Sequence, residues 1–132
     1  MNDHPNALEL IRIANETLAK DVLPGATAEQ LYPLRMIANA LGIAARELEA
    51  HDKNIADETR GLNLIYNEAK PAGDGGDHFD LVTRNRRFAQ DIRQGQFEAS
   101  ATLDAQVRQH LVVTARRKLA AAYPKGLQES KK

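Results

Sequence analysis

Several residue types are absent or rare in this chain of 132 residues, and each absence narrows what it can be. The chain has no cysteine, which excludes disulfides, thiolate metal sites and a cysteine nucleophile. With no tryptophan and only 5% aromatic residues, we expect a core of Leu, Ile, Val and Ala, which suits closely packed helices. No run approaches the ~20 apolar residues of a membrane span, and the N-terminus lacks a signal-peptide pattern. We therefore expect a cytoplasmic protein that does not associate with membranes.

The charge and the length of the chain further limit its partners and its number of domains. The formal net charge is zero, although residues 1–60 hold 6 Lys and Arg against 10 Asp and Glu, and residues 61–132 hold 12 against 8. A difference of −4 against +4 is too weak to indicate a nucleic-acid partner, which normally requires a basic domain. The content of 42% hydrophobic and 27% charged residues is typical of a globular protein, and the length predicts one domain over 1–132.

Apolar residues recur at helical spacing along the chain, and no segment alternates with the period of a strand. We predict an all-α fold, a single bundle of four to five helices with a long apolar central helix. The first helix covers about Pro5 to Asp21 and places Leu18 on its apolar face. Thr27 and Gln30 fit a capping box for the central helix, which ends near Glu49 or His51.

The second half of the chain continues the helical pattern. We predict a polar turn over 51–54, a weaker third helix to about Tyr66 and a glycine-rich loop over 70–77. A fourth helix ends at Gly95, and a fifth begins after Ser100 and stops at Pro124, with a frayed tail over about 126–132. Two apolar faces are expected. They consist of Leu81, Asn85, Phe88 and Ile92 on the fourth helix, and Leu103, Val107, Leu111, Ala115, Leu119 and Ala122 on the fifth.

The segment Tyr32–Glu49 is the most informative in the chain, because it is apolar on nearly every side. The exception is a polar stripe formed by Arg35, Asn39 and Arg46, at spacings of four and seven residues. A helix this apolar is expected at the centre of a small bundle. The stripe has two interpretations: Arg46 pairs with Glu49 or with an acid on another helix, or the three residues form a docking or ligand surface.

Other polar residues are candidates for the same surface. Asn85 lies on an apolar face, between Leu81 and Phe88, while Arg116 and Arg117 end a basic helix that could bind a phosphorylated or acidic partner. A basic last turn also suits the helix dipole, so both interpretations stay open. For Arg84 and Arg87 we favour solvated helix faces, with Arg87 pairing with Asp91 four residues on.

No catalytic set is visible. Asp74, Asp77, His78 and Asp80 do not follow a calcium-loop pattern, and no phosphate loop is present. Glu47 and His51 are four residues apart, which indicates a surface contact rather than half of a metal site. We predict a protein that is not an enzyme and holds no metal or cofactor.

Three segments of the chain resemble a known bacterial family. Thr17–Pro24 resembles its first helix and proline stop, Leu34–Glu49 its hallmark Arg, Asn and Arg-Glu helix, and Val113–Leu119 with Tyr123-Pro124 its C-terminal end. The members are small helical proteins of unknown biochemical activity. Their genes commonly lie beside an aminoglycoside-phosphotransferase-like kinase and an acyl-CoA dehydrogenase.

The resemblance implies a function but carries over no catalytic residue. It implies a non-catalytic accessory subunit for a phosphotransferase-fold kinase of 4-hydroxyacyl-CoA in levulinic acid catabolism, with that kinase as partner and an acyl-CoA as a further candidate ligand. The alternative is a small-molecule binding module without a kinase partner, in which Arg35 and Arg46 grip a CoA phosphate or a carboxylate.

Overall fold

Helices dominate the residues that the structure, a computed structural model, describes, which are 4–68 and 78–129. Helix α1 spans Ala7–Thr17 and continues through a π-helical turn, Leu18–Val22, and a 3-10 turn, Leu23–Gly25. Helix α2 spans Ala28–Tyr66, α3 His78–Arg93, α4 Ala101–Ala122 and the short α5 Gly126–Glu129. Those two ranges contain no strand, so the all-α prediction is confirmed. The predicted loop over 70–77 lies outside the described residues.

Side chains that cap the helices explain where three of them begin. At α1, the Asn6 side chain accepts from the Glu9 N–H at 3.0 Å while the Glu9 carboxylate accepts from the Asn6 N–H at 2.8 Å, a capping box that the sequence analysis missed. At α2, the Gln30 side chain accepts from the Thr27 N–H at 3.1 Å, which is one arm of the predicted box. Ser100 caps α4 as predicted, with Oγ accepting from the Leu103 N–H at 3.3 Å.

Helix α2 is continuous, so the predicted turn over 51–54 was wrong. Its four residues, His51-Asp52-Lys53-Asn54, include no glycine or proline, and nothing in them interrupts the backbone hydrogen bonds of the helix. Their polarity reflects solvent exposure of one helical turn, since His51, Asp52 and Lys53 are exposed. None of the helices within the described ranges has a stretch long and apolar enough to cross a membrane.

Packing divides the chain into two compact units, one up to Ala50 and one from His51 onward, and the one-domain prediction stays a prediction. In the first unit, α1 runs antiparallel to the N-terminal half of α2. Arg12 pairs with Glu49 at 3.0 Å, and a Cβ on Gly42 would lie 4.0 Å from the Asn15 amide nitrogen. Leu18 is the buried hydrophobic residue of the described part of this unit.

The expected central position of Tyr32–Glu49 is not what the packing shows. The buried residues of α2 are Leu62 and Ile65, both in the second unit. In the first unit the apolar side chains of α2 are half-buried or exposed, because α1 covers one face of the helix only.

The second unit has the larger core. The C-terminal half of α2, α3, α4 and the turn before α4 contribute to it, and Leu62 is fully buried at 0% exposure. Aromatic rings lie at its centre, which corrects the prediction of a purely aliphatic core: Phe88 and Phe97 are 5.7 Å apart and Tyr66 meets both edge-on. The buried cluster consists of Leu62, Ile65, Leu81, Phe88, Phe97 and Val107.

The inward face of α4 differs from the predicted one. We expected steps of four residues from Val107 onward, but Leu111 and Leu119 are 45% and 38% exposed. Each step of four residues turns about 40° beyond a full circle, so such a series leaves the face it started on. Most of the buried or half-buried residues instead follow alternating steps of four and three: Leu103, Val107, His110, Thr114, Arg117 and Ala121. Asp104 and Val113 are also half-buried.

Helices α2 and α3 each end at a residue whose backbone is in the left-handed conformation. Gly95 has a φ of +69°, and the N–H groups of Gly95 and Gln96 donate to the carbonyls of Ile92 and Asp91 at 3.1 and 3.0 Å. This is the Schellman arrangement that the sequence predicts for Gly95. At the end of α2, Asn67 takes the same conformation with a φ of 51°. The turn after Gly95 delivers the buried Phe97 to the core.

We expect Gly95→Ala to lower the free energy of unfolding by about 1–2 kcal/mol, the cost of a left-handed backbone for an L-residue. A Cβ at Gly95 would make only ordinary contact, at 3.4 Å from Glu98, so the cost is conformational. Gly25→Ala is the control, because a Cβ there meets nothing within 4 Å and its backbone is not left-handed. It should be neutral or stabilising by about 0.4–1 kcal/mol in urea denaturation. Equal losses from both variants would contradict this account of Gly95.

Candidate functional site

The predicted site residues fall in both units. Arg35 and Asn39 are exposed and Arg46 is half-buried on the N-terminal half of α2. In the second unit, Asn85 lies on α3 and Arg116 and Arg117 lie on α4. These last three do not form one cluster, because Asn85 bonds within the packed helices, Arg116 is exposed, and Arg117 lines a groove.

The side chain of Arg46 lies against its own helix, and that of Glu49 reaches α1. The Arg46 guanidinium lies back along its own helix, where Nη1 is 3.3 Å from the place a Cβ of Gly42 would occupy. Glu49 Oε1 accepts from Arg12 Nη2 at 3.0 Å, so this carboxylate joins α2 to α1. A half-buried Arg46 held against the helix fits the structural interpretation better than an open ligand site.

An outward stripe that is mostly apolar but includes Asn39 lies on the N-terminal half of α2. Its four residues lie within about 60° of one another around the helix axis. They are Tyr32 and, four, seven and eleven residues after it, Met36, Asn39 and Ile43. Tyr32 is 73% exposed and Met36 50% exposed, whereas Ile43 is half-buried. The other side of the helix carries the half-buried residues Leu31, Leu34, Ala38, Leu41 and Ala45. We call the four outward residues the α2 stripe.

The arginines of α3 belong to an ion-pair network in the second unit. Arg84 is buried, and its Nη2 donates to Asn63 Oδ1 at 2.8 Å and to Glu68 Oε2 at 3.2 Å. A solvated face was therefore the wrong expectation for Arg84. Arg87 is exposed and pairs with Glu68 at 3.3 Å and, as predicted, with Asp91 at 3.7 Å.

Tyr66 links this network to the aromatic core. Its hydroxyl donates to Asp91 Oδ2 at 2.5 Å, and the Arg87 guanidinium carbon lies 4.3 Å from the centroid of its ring. Burial and the bond to Asp91 raise the pKa of Tyr66, so the hydroxyl stays a hydrogen-bond donor. These contacts are made within the second unit and favour a structural role for the network, in which Arg84 Nη1 is buried without a hydrogen-bond partner among the described residues.

Asn85 also has a partner inside the second unit. Its Nδ2 donates to Glu58 Oε1 at 2.6 Å, which joins α3 to α2. The amide is half-buried, and the bond satisfies one of its donors on the apolar face where the sequence places it. Its role as a binding residue stays a prediction, and its position supports a structural one.

A groove of about 690 Å³ lies between the C-terminal half of α2 and α4. The two helices run antiparallel here, since Asp57 pairs with Arg117 at 3.3 Å while Gly61, further along α2, faces His110. The lining residues are Asp57, Arg60, Gly61, Leu64, Ile65, Thr102, Ala105, Gln106, Gln109, His110, Val113 and Arg117. Its size is that of pockets that take small organic molecules.

His110 occupies the middle of the groove and depends on Gly61. A Cβ on Gly61 would come within 2.2 Å of His110 Nδ1, so only glycine allows the imidazole to lie this close to α2. The ring is buried and meets Phe88 edge-on, with centroids 5.4 Å apart. Burial lowers the pKa of His110; Glu58 opposes this shift and Arg117 adds to it. The imidazole is therefore neutral at neutral pH.

Sequence analysis missed most of this groove. His110 follows Leu103 and Val107 at the alternating spacing of the inward face, which is the signal that would have found it. Asp57, Arg60 and Gly61 give no local signal, because only the pairing of α2 with α4 brings them to Arg117 and His110. Among the residues with described side chains, no cluster of acids and histidines could hold a metal ion. Asp74 and Asp77 lie outside the described residues.

A family model described as a domain of unknown function, DUF6285, matches residues 24–126. The match covers more than half of the chain, which therefore belongs to this family. It spans α2, α3, α4 and the groove between them. Neither the curated proteins nor the solved structures include a match to this chain.

We expect Gly61→Ala to destabilise the protein by about 1–3 kcal/mol, the usual cost of overpacking, because the new methyl group would displace the His110 ring. Gly42→Ala is the matched control on the same helix. There a Cβ meets the flexible end of Arg46 at 3.3 Å and makes ordinary contact with Asn15 at 4.0 Å, and the higher helix propensity of alanine contributes up to about 1 kcal/mol. Chemical denaturation measures both variants.

His110→Ala should also remove most of the penalty of Gly61→Ala, since two residues in contact are not additive. Equal destabilisation in the presence and absence of the imidazole would show that Gly61 is needed for some other reason.

Stability should fall as the pH is lowered below about 6.5, the ordinary pKa of histidine. His110 has a lowered pKa in the folded state, so in this range the unfolded chain binds the extra proton and folding becomes less favourable. Thermal melts between pH 7.5 and 5.5 should show a steeper decline for the native protein than for His110→Gln. Parallel declines would exclude His110 as the source.

Proposed function

We propose that this protein is a non-catalytic accessory subunit of a phosphotransferase-fold hydroxyacyl-CoA kinase, in the cytoplasmic catabolism of short-chain hydroxy and keto acids such as levulinic acid. The resemblance of Leu34–Glu49 to the hallmark helix of kinase-associated small proteins suggests the partner. Membership of the family supports a shared role but does not name one.

The observation that carries the proposal is the α2 stripe. Its spacing of four, seven and eleven residues is the anchor pattern of helices that dock into a groove of a partner protein. Tyr32 and Met36 are the large exposed anchors, and residues of these kinds suit an interface because they offer much apolar area or adapt to it. A helix packed on one side against α1 still presents this second apolar side.

The polar edge of the stripe supports a protein partner with acidic groups. Arg35 is exposed beside Tyr32 and Met36, and Asn39 lies within the stripe itself. An exposed arginine at the border of an apolar patch fits the polar rim of an interface. Arg35 is therefore the residue that we expect to select the partner, while Arg46 packs against the surface of its own helix.

The geometry argues against gripping one CoA phosphate between Arg35 and Arg46. Eleven residues separate them, which is about 16 Å along a helix axis. Both side chains tilt toward the helix N-terminus, so the tilt does not close this distance. The guanidinium of Arg46 also packs against its own helix at Gly42.

Mixed with its proposed phosphotransferase-fold kinase partner, the protein should form a complex and raise the turnover of a 4-hydroxyacyl-CoA. Met36→Lys should weaken that complex at least about tenfold in Kd, as expected when a charge replaces an apolar anchor. Val112→Lys is the control, because Val112 is 46% exposed on α4 and lies outside the stripe. Size-exclusion binding and coupled ADP release measure the two effects.

Arg35→Ala should weaken the complex while leaving the melting temperature nearly unchanged, since exposed charges contribute about 0–1 kcal/mol to stability. Turnover that is the same with and without this protein would overturn the accessory role. A complex weakened equally by Met36→Lys and Val112→Lys would instead remove the α2 stripe as the docking surface.

A further inference from the structure

The groove between α2 and α4 is chemically divided along its length. One end carries charge, with Asp57, Arg60 and Arg117. The wall beyond it has an apolar stretch formed by Leu64, Ile65 and Val113, beside the uncharged polar side chains of Thr102, Gln106 and Gln109. A wall that changes from charged to apolar matches a molecule that is amphipathic in the same sense. The groove lies within the second unit, apart from the α2 stripe, so what it binds does not depend on the proposed kinase partner.

Among Asp57, Arg60 and Arg117, which form the charged end, there is one positive charge in excess, and the charge of Glu58 acts on His110 further along the groove. Asp57 is shared by two guanidinium groups: it pairs with Arg60 through Oδ1 and with Arg117 through Oδ2 at 3.3 Å. One nitrogen of each arginine is used in this way, and each guanidinium has five N–H donors in a fixed fork. The pair of arginines can therefore hold a second acceptor beside Asp57, and the surplus charge suits a monoanion.

His110 gives an independent indication of a ligand. It is nine-tenths buried and lines the groove, yet within the described part of the chain neither ring nitrogen forms a hydrogen bond. The ring nitrogens are open to solvent rather than buried without a partner, so the imidazole presents a polar edge to the groove. Arg117 lies two helical turns further along the same face and its side chain tilts back toward His110. Burial lowers the pKa of the imidazole, the charge of Glu58 raises it and that of Arg117 lowers it, in agreement with the proximity of both charges to the ring.

We propose that this groove binds a monocarboxylate with an apolar chain, its carboxylate between Arg117 and His110 and its chain along Ile65, Leu64 and Val113. Arg60 covers the carboxylate from the rim, and Asp57 is a positioning residue that holds both guanidinium groups at the entrance. The neutral imidazole donates its N–H to one carboxylate oxygen. A diphosphate or a nucleotide fits less well, because one surplus positive charge cannot balance several negative ones.

Decanoate, kept below its micelle concentration, is the probe, and decanol is its uncharged counterpart. We expect decanoate to produce saturable shifts of the His110 ring and Val113 methyl signals in NMR spectra of the full chain. Decanol should bind at least tenfold more weakly, because it lacks the carboxylate. Absence of saturable shifts with decanoate, or equal affinity for the two probes, would overturn the proposal.

Substitutions of two neighbouring arginines distinguish specific recognition of the carboxylate from general electrostatic attraction. Arg117→Gln should weaken the binding of decanoate roughly tenfold or more, the effect of removing a hydrogen bond between charged groups. Arg116→Gln makes the same charge change one residue away, on an exposed side chain that does not line the groove, and should leave the affinity unchanged. Equal weakening by both variants would indicate non-specific attraction and would overturn the site.

A second pair of variants tests the apolar wall without disturbing the core. Leu64 is 72% exposed and lines the groove, so Leu64→Glu should abolish binding while the protein stays folded. Leu111→Glu is the control on α4, where Leu111 is 45% exposed and outside the groove. Binding that survives Leu64→Glu, or is lost equally in both variants, would show that the chain does not lie along this wall.

Discussion

The contact between Gly61 and His110 is the constraint on which the second unit depends. A methyl group at position 61 would overlap the imidazole, so the local approach of α2 and α4 requires a residue without a side chain. That approach places His110 edge-on against Phe88 and connects it to the rings of Phe97 and Tyr66. The same approach aligns Asp57 with Arg117 and so forms the charged end of the groove.

Helix α2 serves the two units in different ways. Beyond Ala50 it contributes Leu62 and Ile65 to a core that α3 and α4 complete, and its polar side chains bond to neighbouring helices. Before Ala50 it packs against α1 on one side only, and its apolar residues are half-buried or exposed. A surface of this kind stabilises the isolated protein little, and its apolar area is what an interaction surface requires. The division separates the part of the helix that builds a core from the part that leaves apolar area exposed.

The two proposed roles use different chemistry. A protein partner would cover Tyr32 and Met36 with apolar area, whereas a carboxylate in the groove would satisfy the donors of His110 and Arg117. Each can be true without the other, because they rest on different residues. If both hold, the protein would carry an acidic metabolite and contact an enzyme, a combination that fits an accessory role in the metabolism of organic acids.

Sequence alone determined the helical class, the caps at Thr27 and Ser100, the stop at Gly95 and the pairing of Arg87 with Asp91. These depend on residues at most a few positions apart, whose hydrogen bonds and backbone preferences are local. The exposed position of Arg35 and the burial of His110 were decided by packing, because a face becomes inward only when another helix covers it. The central helix has apolar residues on nearly every side, so its sequence could not indicate which side α1 leaves open. The groove needed the antiparallel pairing of α2 with α4, since Asp57 and Arg117 are far apart in the chain and only tertiary structure brings their charges together.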